Sequence, residues 1–182
     1  EITERAMNDE LSYAESLYQR AELLEGLDED AVAAAFDEVT LRPGAGELIE
    51  RLQAEGHHVA VLTGGFERGV EAALATEGVT ADTVVANRLP TAGGALTGDA
   101  EGPLIEGTKD DALEALAGDL EVPMAETVAV GDGANDLPML EVAGLAVGFD
   151  PKDAVRPACD TVVGSMFRLE AVLAGYDVLS EE

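Results

Sequence analysis

Val128-Ala-Val-Gly131 is a short, apolar-leaning stretch of β type that runs without a break into Asp132-Gly-Ala-Asn-Asp136 and then into the helix-like segment 137–143. A strand that ends in carboxylates and passes directly into a helix is how open α/β sheets build sites at the carboxyl ends of their strands. Asp132 and Asp136 repel each other at this spacing unless a cation lies between them, and hard oxygen ligands suit Mg²⁺. The competing reading of this segment is an acidic surface turn in a very acidic chain.

The rest of the chain supports an α/β rhythm. Residues 1–38 read as helical, with Ile2, Met7, Leu11, Leu17, Ala21, Leu24, Val32, Ala35 and Phe36 near a helical period and Gly26 as a separator. The Pro- and Gly-rich stretch 41–46 marks a boundary. Beyond it, helix 47–55 is stopped by Gly56, strand 58–62 ends at Thr63-Gly64-Gly65, and helix 66–77 is closed by Gly78. A strand at 83–87, a hairpin at 92–99 and a helix from Lys109 to Ala117 follow, the last with Thr108 as its cap and Asp111 completing a near capping box. Strands at 128–131, 145–149 and 161–163 alternate with helices at 137–143 and 167–174, which predicts a parallel sheet covered on both faces.

Length fits one α/β domain with a small appendage. Aromatic residues make up 4% of the chain and Trp is absent, so the core must be built from Ala, Val and Leu. No apolar run approaches the roughly eighteen residues that a membrane span requires. With 38 acidic against 10 basic residues, the formal charge is −28. The apolar content argues against disorder, and the acids are spread along every segment rather than gathered into an interaction tail. The composition suits a very salty cytoplasm, where the Debye length is about 3 Å at 1 M salt. No basic stripe exists to meet nucleic-acid phosphates. The single cysteine, Cys159, excludes an internal disulfide and is read as a structural thiol in a reducing compartment. His57 and His58 are read as loop or strand-edge residues. Because the chain begins with Glu1 rather than Met, residues are expected to precede it.

Two further segments carry chemistry. Thr63, Gly64 and Gly65 place a hydroxyl and unobstructed backbone N–H groups at the carboxyl end of a strand, where an anion can be bound. Lys109 is one of only two lysines, with Lys152, and stands in the first turn of a helix, where the macrodipole disfavours a cation. A required ammonium facing a phosphoryl oxygen is one explanation; a lysine that snorkels or pairs with Asp110 or Asp111 is the other. Together these parts suit metal-assisted phosphoryl transfer. No segment supplies an obvious nucleophile.

Leu62-Thr-Gly-Gly65, Lys109 at a helix start and Gly131-Asp-Gly-Ala-Asn-Asp136 resemble motifs II, III and IV of the haloacid dehalogenase superfamily of phosphatases. Ala86-Asn-Arg-Leu89 and Leu96-Thr-Gly-Asp-Ala-Glu-Gly102, with Ile2-Thr-Glu-Arg-Ala-Met7 and the segment 15–24, narrow the resemblance to its phosphoserine phosphatase family. The resemblance implies a Rossmann-like parallel sheet flanked by helices with a small helical cap, residues 1–40 forming part of the cap and 41–182 the core. It implies Asp132 as a Mg²⁺ ligand, Thr63 and Gly64 as holders of phosphoryl oxygens, and Lys109 as the neutralising cation. Asn135 would hydrogen-bond the substrate region and Asp136 would orient its neighbours. In the cap, Arg20 would clamp a substrate carboxylate while Met7 and Tyr13 wall the serine part; the family commonly has Phe where Tyr13 stands.

The family's motif I, Asp-x-Asp-x-Thr/Ser, belongs before Met7 and does not occur in these residues. It carries the nucleophile, the general acid, another metal ligand and a central strand, so the chain is expected to be a fragment of a normal enzyme. The implied activity is Mg²⁺-dependent hydrolysis of O-phosphoserine through an aspartyl-phosphate, the last step of serine biosynthesis, in a cytoplasmic monomer or homodimer. A related phosphomonoesterase or phosphotransferase is the alternative within the class. A non-catalytic phosphometabolite-binding module is the alternative outside it.

Overall fold

The computed structural model describes residues 12–180. Its helices are α1 (Tyr13–Glu22), α2 (Glu29–Phe36), α3 (Ala45–Ala54), α4 (Glu67–Glu77), α5 (Lys109–Asp119), α6 (Leu137–Val142) and α7 (Met166–Gly175). The strands are β1 (Ala60–Phe66), β2 (Thr83–Asn87), β3 (Thr91–Ala92), β4 (Ala95–Leu96), β5 (Val128–Gly131), β6 (Leu145–Phe149) and β7 (Thr161–Val163). The described residues divide into two compact units, one made of 12–40, Val61–Thr80 and Val84–Gly107, the other of Leu41–Ala60, Ala81–Thr83 and 108–180.

In the first unit, α1 starts at a full capping box that the sequence reading did not include. Ser12 Oγ accepts the Glu15 N–H at 3.1 Å, and the Glu15 carboxylate accepts the Ser12 N–H at 2.8 Å. Its inner face buries Ala14, Leu17 and Ala21 with Ala100 and Ile105, and Phe66 and Leu89 pack against this cluster. Asp28 caps α2 through the Asp30 N–H. The hairpin forms as expected, β3 pairing antiparallel with β4 across Gly93 and Gly94, both at positive φ.

The second unit holds a three-stranded parallel sheet in the order β5-β6-β7. Every residue of the central strand β6 is buried, as a parallel strand covered on both faces requires. Its core joins Leu48 of α3, Leu145, Val147 and Phe149 of β6, Val163, and Leu169 and Leu173 of α7. Small residues dominate where segments approach closely: a Cβ on Gly148 would lie 2.8 Å from Cys159 Sγ. Burial pushes the Cys159 thiol up, and its sulfur lies 3.4 Å from the Val155 carbonyl, in keeping with a structural role.

Several details differ from the sequence reading. β1 continues through Gly64 and Gly65 to Phe66 rather than stopping before them, so α4 begins one residue later, at Glu67. Thr108 stands at the N-cap position of α5 as expected, but its side chain makes no capping bond; its hydroxyl donates to Asp111 Oδ2 at 3.2 Å instead of accepting a backbone N–H. Among the described residues, β1 pairs with β2 and β5 with β6, so the strands form separate ladders rather than one continuous sheet.

Candidate functional site

In the second unit, the loop after β5 is folded around one carboxylate. Asp136 Oδ2 accepts the N–H groups of Asp132 at 2.8 Å and Gly133 at 3.0 Å, while Oδ1 accepts Lys109 Nζ at 2.5 Å. Asp136 is buried, and the loop closes on it because Gly131 has no side chain: a Cβ there would lie 2.5 Å from Asp136 Cβ. Burial by itself raises the Asp136 carboxyl. The hydrogen bond from Lys109, those from Gly133 and Asp132, and the Lys109 charge outweigh it and hold the group below its ordinary value.

This geometry identifies the carboxylate that Lys109 meets. Its partner is neither Asp110 nor Asp111 but Asp136, 27 positions along the chain. The carboxylate also offsets the unfavourable position of an ammonium in the first turn of α5. Asp132 and Asn135 remain exposed on the same loop. The Asp132 carbonyl accepts the Lys152 N–H at 2.9 Å, which ties the loop to the segment after β6. Its carboxylate accepts no hydrogen bond among the described residues, where no group of three His, Cys, Asp or Glu could hold a metal ion. The loop thus offers one exposed carboxylate, and Mg²⁺ is a cation that binds through one or two carboxylates and keeps much of its water.

The first unit brings together Thr63, Gly64 and Tyr13. Thr63 Oγ1 accepts the Gly65 N–H at 3.0 Å, leaving its hydroxyl proton to donate. The Gly64 carbonyl accepts Tyr13 Oη at 2.6 Å and Asn87 Nδ2 at 2.9 Å. A Cβ on Gly64 would come within 2.2 Å of that phenol oxygen, so the contact requires glycine. Burial raises the Tyr13 hydroxyl, and the positive charge of Arg20 on the same helix opposes this in part. Arg20 is exposed and its Nε donates to the Ser16 carbonyl at 3.2 Å. Met7 lies outside the described residues.

Asn87 is the polar residue that site reasoning passed over. It is fully buried, and its Oδ1 accepts the Leu104 N–H at 3.0 Å. The signal was an amide closing an otherwise apolar strand, since a buried polar side chain has to find partners.

The family of haloacid dehalogenase-like hydrolases matches residues 3–141. The phosphoserine phosphatase of Halobacterium salinarum is 55% identical, over 97% of this chain and 84% of its own. The chain belongs to the phosphoserine phosphatase family of haloacid dehalogenase-like hydrolases. Another member, from Idiomarina loihiensis, is 43% identical over 93% of this chain and 76% of its own. Among solved structures, a phospho-aspartyl intermediate analogue of phosphoserine phosphatase superposes with a TM-score of 0.82 at 36% identity, covering 94% of this chain and 82% of that one. A substrate-bound phosphoserine phosphatase complex gives a TM-score of 0.82 at 35% identity, with the same coverage. Membership agrees with the α/β fold and makes the protein a phosphoric monoester hydrolase by family.

Proposed function

We propose that the protein hydrolyses O-phosphoserine to serine and phosphate, through an aspartyl-phosphate, in a salt-rich cytoplasm. The observation that carries the reading is the buried Lys109–Asp136 pair with the Asp132 and Gly133 N–H groups on the same carboxylate, in a chain of this family. The pair holds the Lys109 side chain in one place, and a positioned charge is what phosphoryl transfer asks of a protein.

In this reading Thr63 donates its hydroxyl, and Gly64 its N–H, to phosphoryl oxygens. Lys109 neutralises charge that builds on those oxygens, and Asp136 holds Lys109 and the Asp132 loop in register. Asn135 hydrogen-bonds the substrate region. Asp132 would hold Mg²⁺, which when bound adds positive charge against the phosphoryl group. Residues 1–40 are read as a helical cap, in which Arg20 pairs with the substrate carboxylate, a task for a planar bidentate donor, and Met7 and Tyr13 wall the serine part. Residues 41–182 are read as the core. The nucleophile is not assigned to a residue of this chain.

The test is phosphate release by the complete gene product, with Mg²⁺, from O-phosphoserine, phosphothreonine, phosphoethanolamine and a sugar phosphate. Phosphoserine is expected to be preferred, and R20A to lower kcat/KM on it by about 10- to 100-fold, the loss of a charge-assisted bidentate contact. Phosphoethanolamine, which lacks the carboxylate, should be nearly indifferent to R20A. A preference for phosphoethanolamine in the unsubstituted enzyme would overturn the assignment.

A further inference from the structure

The Gly64–Gly65 peptide is hydrogen-bonded at both of its polar ends. Its carbonyl accepts from Tyr13 Oη and Asn87 Nδ2, which together use both lone pairs. Its amide, the Gly65 N–H, donates to Thr63 Oγ1 at 3.0 Å. Donors drawn to a carbonyl polarise the peptide and strengthen its N–H as a donor, so the bonds in such a chain reinforce one another. At the end of the chain stands the Thr63 hydroxyl, with its acceptor role fixed and one proton left to give.

We propose that Tyr13 is a positioning residue whose hydroxyl, acting through the Gly64–Gly65 peptide, orients the Thr63 hydroxyl toward a phosphoryl oxygen. The inference rests on the reading of Thr63 as a phosphoryl-binding hydroxyl.

Three observations support it. The Asn87 amide has its orientation fixed, because its Oδ1 must face the Leu104 N–H, a donor only. The shared carbonyl is thereby held from its second side by a fully buried group. Tyr13 is the first residue of α1 and lies within the Ser12–Glu15 capping box, so the backbone that carries the phenol is itself secured. Gly64 leaves the space that the phenol oxygen fills. A role as a pocket wall lies in the aromatic ring, whereas this role lies in the oxygen, and Y13F separates the two.

The experiment titrates inorganic phosphate into the complete gene product by calorimetry, for the unsubstituted protein, Y13F, T63V, T63S and the doubles Y13F/T63V and Y13F/T63S. T63V is expected to weaken phosphate binding by about tenfold, and Y13F by about threefold, the span of one neutral hydrogen bond. Y13F should cost nothing further in the T63V background and about threefold again in the T63S background, where a hydroxyl is retained. Thermal unfolding midpoints establish that each variant is folded. Equal losses from Y13F with and without the Thr63 hydroxyl overturn the relay, as does Y13F with undiminished affinity. If T63V itself leaves phosphate affinity unchanged, the reading of Thr63 falls and takes the relay with it. If T63V weakens binding but Y13F shows no coupling to it, the relay alone fails.

Discussion

Lys109 and Asp136 meet with side chains 11% and 6% exposed, so each charge depends on the other for its solvation. Removing one partner of such a pair leaves an uncompensated buried charge. K109M is therefore expected to lower unfolding free energy by about 3 kcal/mol in denaturant titrations, and by clearly less when combined with D136N. The same pair predicts a pH dependence. Asp136 is held below its ordinary value in the folded state, so it binds its proton more readily when unfolded, near pH 3.9 or so. The stability it contributes is complete above that unfolded value and drains away as pH falls through the lower, folded one. Unfolding midpoints taken from about pH 6 to about pH 2 should fall more steeply for the unsubstituted protein than for D136N, with the divergence confined to the region below about pH 4. Parallel curves would mean that the Asp136 carboxyl binds its proton equally readily in the folded and unfolded protein, so that the pair adds nothing to the pH dependence.

Helix α3 ends in a clasp on α7 and the segment that follows it. Arg51 Nε donates to Glu55 at 3.3 Å, its Nη1 to Glu170 and its Nη2 to the Ser180 carbonyl at 2.7 Å. Glu55 in turn accepts the Ser180 N–H at 2.8 Å and hydroxyl at 2.9 Å, and His57 Nε2 meets the Val178 carbonyl at 2.5 Å. R51A is expected to cost about 1–2 kcal/mol of stability, and R51K to recover less than half, because one ammonium cannot reproduce the planar fork. Calorimetric unfolding of the two variants checks this; full recovery by lysine would reduce the clasp to a simple charge effect. Such long-range joins were not legible in the sequence, whereas the elements they join were. β6 reads as buried because it is uninterrupted and apolar, and α4 reads as ending at Gly78 because its C-cap takes positive φ. The partner of Lys109 could not be read, since Asp110 and Asp111 are nearer in sequence and the fold selects Asp136. Nor could the fate of Thr108, whose hydroxyl has a carboxylate within reach and takes it in preference to the backbone. The Tyr13–Gly64 contact spans 51 positions and depends on a helix and a strand end meeting, which no local pattern encodes.

Across the whole molecule the dominant quantity is the charge of −28, and among the described residues the buried polar and charged side chains are Ser16, Asn87 and Asp136 alone. Nearly all the described carboxylates therefore face water and one another. Self-repulsion of this size loosens a compact state at low ionic strength and is screened in molar salt. The unfolding midpoint is expected to climb as KCl is raised from about 0.1 M to about 2 M, and kcat/KM for an anionic substrate to climb with it, by analogy with steered encounters of opposite sign. A flat or falling profile would count against electrostatic control. Adaptation of this kind adds acids wherever a side chain can reach solvent, and most of the surface has room for them. Position 131 has none. Its backbone angles are ordinary, yet even a methyl group there would displace the carboxylate around which the neighbouring loop is wound. However far this surface drifts under selection by brine, that one residue is expected to stay without a side chain.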